Sequence, residues 1–351
     1  MKNWKVVAWC AVMAAMALTG CGGGGNVLAP SATEYRVVSV AGNGTVGMYS
    51  MTSGGVMSQI GTMNTGFQFL SVAATVNHLY ASAGNTDGIF KIDFVNDMPA
   101  NSGPAATASD SGSFVFKHPS RNALYAVVPA QNTIDQWTIN ANGSLTAMGV
   151  AQVNADLSPR DMVFNPNGNF AYVVSRNSKV VRVYSVDGNG ALSFIPGAAY
   201  PTTINPTKVV ITDDGGHLYA MGEDQDISQF SIGGNGLLTP LAPQKVNYPM
   251  GNFRAAMTAN NVLSFYRESD EGIETFGRTG NGQLTNISVA NFATSGISDV
   301  YRLPGLNLLM ILQQGNGLAK TVAMGSNGVG TETSSTSFPA TTVDIAFWEV
   351  P

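Results

Sequence analysis

The feature that most constrains this chain is a short phrase that returns at intervals of about 46 residues. Asn142-Gly143-Ser144-Leu145-Thr146 comes back as Asn189-Gly190-Ala191-Leu192-Ser193, as Asn235-Gly236-Leu237-Leu238-Thr239 and as Asn281-Gly282-Gln283-Leu284-Thr285, with a degenerate copy at Asn327-Gly328-Val329-Gly330. Asparagine and glycine tolerate positive φ, so each copy reads as a tight turn between two strands. An aromatic residue precedes most of these turns on the same period, at Tyr49, Phe90, Trp137, Tyr184, Phe230 and Phe276, and Val322 takes its place in the last copy. A third series, Leu79-Tyr80, Leu124-Tyr125, Ala171-Tyr172 and Leu218-Tyr219, marks another strand of each unit. Repeats of this length are supersecondary units that bury their apolar faces only against neighbouring copies.

The clearest copy divides into four expected strands, Arg160 to Asn165, Phe170 to Ser175, Val180 to Val186 and Ala191 to Ile195, with Asn165-Pro166-Asn167-Gly168 turning the first into the second. Four strands in ~45 residues make one propeller blade. A solenoid would need shorter units or helices, and no helical period or capping box stands out after the amino-terminal apolar run. Turns near Gly55 and Met98, and at Gly143, Gly190, Gly236, Gly282 and Gly328, number seven. The sequence therefore predicts an all-β, seven-bladed β-propeller of four-stranded blades over residues 35–351, forming a single domain. Tyr35 to Val40 matches a second strand and Thr342 to Val350 a first strand. The carboxy-terminal strand is thus expected to close the first blade and remove an open sheet edge.

Ahead of the repeats, Lys2 and Lys5 precede an apolar run from Val6 to Leu18 that ends in Leu18-Thr19-Gly20-Cys21. That order of charge, apolar segment and small residues is a secretory signal over residues 1–20, too short to span a bilayer, which takes roughly 20 apolar residues. Leu-Thr-Gly-Cys is similar to a bacterial lipobox, which implies cleavage before Cys21 and lipidation of its thiol. Cys10 would leave with the signal, so the mature domain is expected to hold no disulfide and no free thiol. Residues 21–34, rich in glycine, read as a lipidated tether. The expected location is the bacterial cell envelope, at the outer membrane, with the lipid on Cys21 as the membrane attachment. The net charge of −5 becomes more negative once the two leader lysines are gone, which argues against a nucleic-acid partner.

In a blade the first strand lies nearest the axis, and the loops leading into first strands share one face with those linking second to third strands. Ligands usually meet that face. Before first strands it should carry Arg160, Asp161, Lys208, Arg254, Asp299 and Asp344; after second strands, Asp87, Arg176, Glu223, Asp224, Asp226, Glu268, Asp270 and Glu271. Arg160, Arg176, Lys208 and Arg254 are the candidate ligand-binding residues, because guanidinium and ammonium groups hold carboxylate or phosphate. The competing reading is ordinary solvated charge on a loop face. The carboxylate segments 223–226 and 268–271 carry hard oxygen donors, but neither matches the twelve-residue calcium loop, so no metal is expected. No phosphate-binding glycine loop, G-x-S-x-G or H-E-x-x-H motif is present, and no cofactor is implied. His78, His118 and His217 fall beside first-to-second strand turns at the opposite end of the ring, where a structural role is expected.

The stretch from Ser158 to Val174, Ser-Pro-Arg-Asp-Met-Val-Phe-Asn-Pro-Asn-Gly-Asn-Phe-Ala-Tyr-Val-Val, resembles the bacterial lactonase family with a seven-bladed propeller, which includes 6-phosphogluconolactonase. The resemblance implies a site around the blade-four arginine, here Arg160. It departs from the family at two points: Asp161 stands where the family has histidine, and Ser175-Arg176-Asn177 stands where it has Asn-Glu-Leu. The segment Ser111 to Ser113 also lacks a histidine frequent in blade three. Arg160 and Asp161 are therefore the candidate catalytic pair, with arginines as oxyanion donors and Asp161 as base. Two functional classes stay open: a cell-envelope binding or scaffolding propeller with a small-molecule or protein ligand on the loop face, which is preferred, and a lactonase-like hydrolase opening a small anionic lactone.

Overall fold

The computed structural model describes residues 34–350 apart from 223–225, 248–254, 259–261, 268–271, 291–296, 304 and 314–316. Seven four-stranded antiparallel sheets follow one another as blades in a ring, and the described residues contain strands and turns but no helix. Blade one combines the carboxy-terminal strand Thr342–Glu349, innermost, with Glu34–Ala41, Thr45–Thr52 and Met57–Asn64. The terminal strands pair from Tyr35 with Glu349 to Ala41 with Thr342, which is the expected clasp.

Strand composition follows position in the blade. Second strands are covered on both faces by neighbouring blades, so Ala123–Val128 is buried at every residue and reads as a continuous apolar run. Outermost strands face solvent, and Leu145–Asn154 buries only Met148. In blade four the observed strands are Pro159–Phe164, Phe170–Ser175, Val180–Val186 and Leu192–Pro201. The fourth runs past the expected Ile195 because a register shift between Arg182 and Tyr184 lets it continue beyond a bulge. That bulge recurs in the outer pair of all the other blades.

Adjacent blades are linked by bonds that repeat with the sequence. The second-strand tyrosine of one blade donates to the turn glycine carbonyl of the next: Tyr80 to Gly143 (2.8 Å), Tyr125 to Gly190 (2.5 Å), Tyr172 to Gly236 (3.0 Å) and Tyr219 to Gly282 (2.6 Å). A buried phenol needs such a partner, and burial raises the pKa of each of these tyrosines. Blade seven reaches blade one by a different donor, Thr321 Oγ1 to the Gly55 carbonyl at 2.7 Å. Farther out, Gln136 Oε1 accepts the Leu192 N–H and Gln229 Oε1 accepts the Leu284 N–H, both at 2.7 Å. The repeated Leu-Tyr and Asn-Gly phrases are thus two halves of one joint.

The turn glycines are required twice over at this joint. Gly143, Gly190, Gly236 and Gly282 have φ of 77°, 95°, 77° and 87°, and a Cβ on Gly282 would lie 1.8 Å from His217 Cδ2. The three histidines sit at this end of the ring, bound to their surroundings: His78 Nδ1 to Asp93 (2.8 Å), His118 Nε2 to the Gly168 carbonyl (2.8 Å) and His217 Nδ1 to Arg278 (2.8 Å).

Candidate binding site at the axial channel

First strands begin with an irregularity of their own. The pairing register skips one residue between Phe69 and Ser71, Pro159 and Asp161, Pro206 and Lys208, and Ile297 and Asp299, and the clasp shows the same shift opposite Val40 and Ala41. Arg160 and Thr207 are the extra residues in blades four and five. Immediately after the skip come Ser71, Asp161, Lys208, Asp299 and Asp344, equivalent positions in five blades.

Three of these residues join innermost strands across the blade boundary. Asp344 Oδ2 accepts the Val72 N–H at 2.8 Å, Ser71 Oγ accepts the Val115 N–H at 3.2 Å, and Asp161 Oδ2 accepts the Val209 N–H at 2.9 Å. Each satisfies a main-chain donor of the next blade. Asp161 is only 8% exposed, and Lys208 Nζ stands 3.7 Å from its Oδ2. Tyr301 donates to the other oxygen of Asp344 at 2.9 Å.

Between blades three and seven these strands enclose a cavity of about 250 Å³ lined by Phe116, Asp161, Lys208, Val210, Ala256 and Arg302 among others. Its electrostatics are set by few groups. Burial raises the Asp161 pKa, opposed by Lys208 and by the Val209 and Met162 N–H groups. Asp344 is pushed up to about 6, first by burial, with Asp299 adding repulsion against the bonds from Val72, Tyr301 and Ile345. The Asp161 carboxylate, backed by Asp299 and Asp344, raises Lys208 and keeps it cationic. Among the described residues no group of three His, Cys, Asp or Glu side chains is placed to hold a metal ion.

Of the residues picked out by sequence, Asp161 and Lys208 meet directly. Arg160 occupies the bulge just before Asp161, and its Nε is buried without a hydrogen-bond partner, as is Thr207 Oγ1 at the equivalent bulge of the next blade. The Arg176 segment is tied to the same loop: its N–H donates to the Ser158 carbonyl at 2.8 Å, and the Asn177 N–H to that of Leu157 at 3.2 Å. Arg254 and Cys21 lie outside the described residues, as do Glu223, Asp224, Glu268, Asp270 and Glu271. Asp226 is paired with Lys245 at 2.6 Å. Sequence reasoning missed Tyr301 and Arg302 of Ile297–Arg302 and Phe116 of Phe114–Lys117, whose short first strands carry no repeated phrase that marks them.

A family model for a lactonase with a seven-bladed β-propeller matches residues 72–204, which cover blades two to four. The chain resembles the seven-bladed lactonase family. Solved structures extend the likeness around the ring. A candidate 6-phosphogluconolactonase from Bacteroides fragilis superposes with a TM-score of 0.73 at 11% identity, covering 91% of this chain and 98% of that one. A Lactobacillus plantarum protein gives 0.72 at 17% identity, covering 90% and 99%. The periplasmic gluconolactonase of Pseudomonas aeruginosa gives 0.68 at 17% identity, covering 91% and 100%. At these identities the structures establish a common fold. No curated protein sequence matches the chain significantly.

Proposed function

We propose that this chain is a lipid-anchored propeller of the cell envelope that binds a small anionic ligand of the sugar-acid class at the loop-face end of its channel. The observation that carries this reading is the state of the charges in blades four and five. The Arg160 Nε is buried without a partner, whereas Asp161, the next residue in sequence, is already committed to a main-chain donor and to Lys208. A ligand carboxylate would instead meet the terminal nitrogens of Arg160, and guanidinium binds such a group in a fixed fork. The gluconolactonase of P. aeruginosa and the candidate 6-phosphogluconolactonase of B. fragilis support a hydroxylated acid as the ligand class. The lipid anchor rests on Leu18 to Cys21.

Lactone hydrolysis is the second reading, favoured by those same relatives and by the raised pKa of Asp161, which makes it a stronger base than an ordinary aspartate. Its difficulty is that Asp161 Oδ2 repeats the structural bond made by Asp344 in blade one. Titration with gluconate and 6-phosphogluconate, beside turnover assays on the corresponding lactones, separates the two. Binding is expected to weaken by about 1.5–3 kcal/mol in Lys208→Met, with no turnover. Failure to bind either acid would defeat the proposal, and turnover abolished by Asp161→Asn would replace it with the hydrolase. Metabolic labelling with palmitate tests the anchor, which should be lost in Cys21→Ser.

A further inference from the structure

A separate groove opens at the rim, between the outer strands of blade three, Thr133–Ile139 and Leu145–Asn154, and the loop leading into blade four. Its volume is about 540 Å³, within the range of small-molecule sites. Gln131, Asn132, Gln152, Asn154, Asp156 and Leu157 line it. We propose that this groove binds a neutral polyhydroxylated ligand, a short uncharged oligosaccharide.

Charge decides the ligand class. The one carboxylate in the lining, Asp156, is gripped by both Nε and Nη2 of Arg182, so neither ion is free for a ligand. The carboxylates just behind the lining are also taken: Asp110 accepts from Gln131 Nε2 and Asp135 from Gln152 Nε2, each at 2.9 Å. An anion entering the groove meets no cation in its lining, and the lining's one carboxylate is already paired with Arg182.

What remains is a set of oriented carboxamides. Asn132 Oδ1 accepts the Ser158 N–H at 2.7 Å and Asn154 Oδ1 accepts the Asp156 N–H at 2.9 Å, which leaves both amide nitrogens as donors. Gln131 and Gln152 are used through nitrogen, which leaves their carbonyl oxygens as acceptors. A sugar hydroxyl both donates and accepts, and therefore matches such a mixed lining. Leu157, 56% exposed, offers an apolar surface for the C–H face of a pyranose.

The wall is also set in advance. Asn132, Asp156 and Ser158 have φ of 59°, 59° and 58°, left-handed values that residues with a Cβ adopt at a cost. The two asparagine bonds and the Arg182 grip hold that backbone, so little ordering is left for binding to supply.

The test is isothermal titration of the whole purified protein with neutral trisaccharides of glucose, mannose and N-acetylglucosamine, with trigalacturonic acid as the charged control. Saturable binding of at least one neutral sugar is expected, weakened about tenfold or more by Gln152→Ala and by Leu157→Asp. Leu157 is exposed and makes no side-chain bond, so its variant should keep the parental melting temperature and decides the matter if Gln152→Ala loosens the blade. Absence of saturable binding by every neutral sugar, binding that survives Leu157→Asp, or preference for the uronic acid would each overturn the proposal.

Discussion

The two faces of the ring are built on opposite rules. On the turn face the same parts recur from blade to blade: an Asn-Gly turn, a tyrosine reaching its glycine carbonyl, and a histidine, phenylalanine or alanine packed against that glycine. On the loop face, among the described residues, a shared bond from the first strand to the next blade is overlaid with side chains that differ from blade to blade. Blade four carries Arg160 and a left-handed Ser158, blade five carries Lys208, and blade one carries Asp344 bonded to Tyr301. Repetition marks what the fold needs of every blade, and departure from it marks where a ligand can be recognised.

Substitution on the turn face should therefore unfold, and substitution on the loop face should mostly change binding. The largest effect is expected for Gly282→Val, where a left-handed φ of 87° coincides with a Cβ position 1.8 Å from His217. A loss of about 2–4 kcal/mol in urea unfolding follows from backbone strain together with overpacking. Gly66→Ala on the loop face makes the control: φ is 76° but nothing lies within 4 Å, so the loss should be about 1 kcal/mol. Equal losses at the two sites would remove the distinction.

The channel adds a dependence on pH. An acid whose pKa is raised by the fold holds its proton more tightly there than in the unfolded chain. The stability contributed by Asp344 is thus full below its unfolded pKa of 3.8 and is lost as pH rises through about 6. The difference in stability between the parent and Asp344→Asn should change by about 1–2 kcal/mol across that window, with the parent relatively weaker at the upper end. A difference independent of pH would show that Asp344 ionises normally.

A smaller loss is expected at a single turn-face joint. Tyr172→Phe removes the bond to the Gly236 carbonyl while keeping the ring, and should cost about 1 kcal/mol. Removing two such hydroxyls from well-separated joints, as in Tyr80→Phe with Tyr219→Phe, should cost the sum of the single effects, because the joints share no partner. Strong non-additivity would mean that the ring answers as one unit.

This division also explains what could be read from the sequence. The blade count, the order of strands and the clasp follow from Asn-Gly, Leu-Tyr and the aromatic series, since those residues do the same work in each copy. Asp161 was harder to interpret. Alone it has the look of a base beside an arginine; only the equivalence with Ser71 and Asp344 exposes its bond to the next blade, and that equivalence depends on a one-residue bulge that no local pattern reveals. The rim groove was hidden for a related reason, because its carboxamides belong to two strands and a loop that meet only after folding.

The smallest effect on stability, and the sharpest separation of the two faces, is expected at Arg160. Its Nε is buried without a hydrogen-bond partner, so the fold carries a desolvated donor that nothing in the protein repays. Truncation in Arg160→Ala removes that burden along with some packing by the aliphatic stem, and the two changes oppose each other. Net stability should stay within about 0.5 kcal/mol of the parent. Affinity for a sugar acid should fall nonetheless, and Arg160→Lys should restore charge without restoring the planar fork. Measured together, a melting curve and a gluconate titration on these two variants assign the residue: unchanged melting with lost affinity places Arg160 in the binding site, whereas a loss of several kcal/mol would make it one more element of the ring.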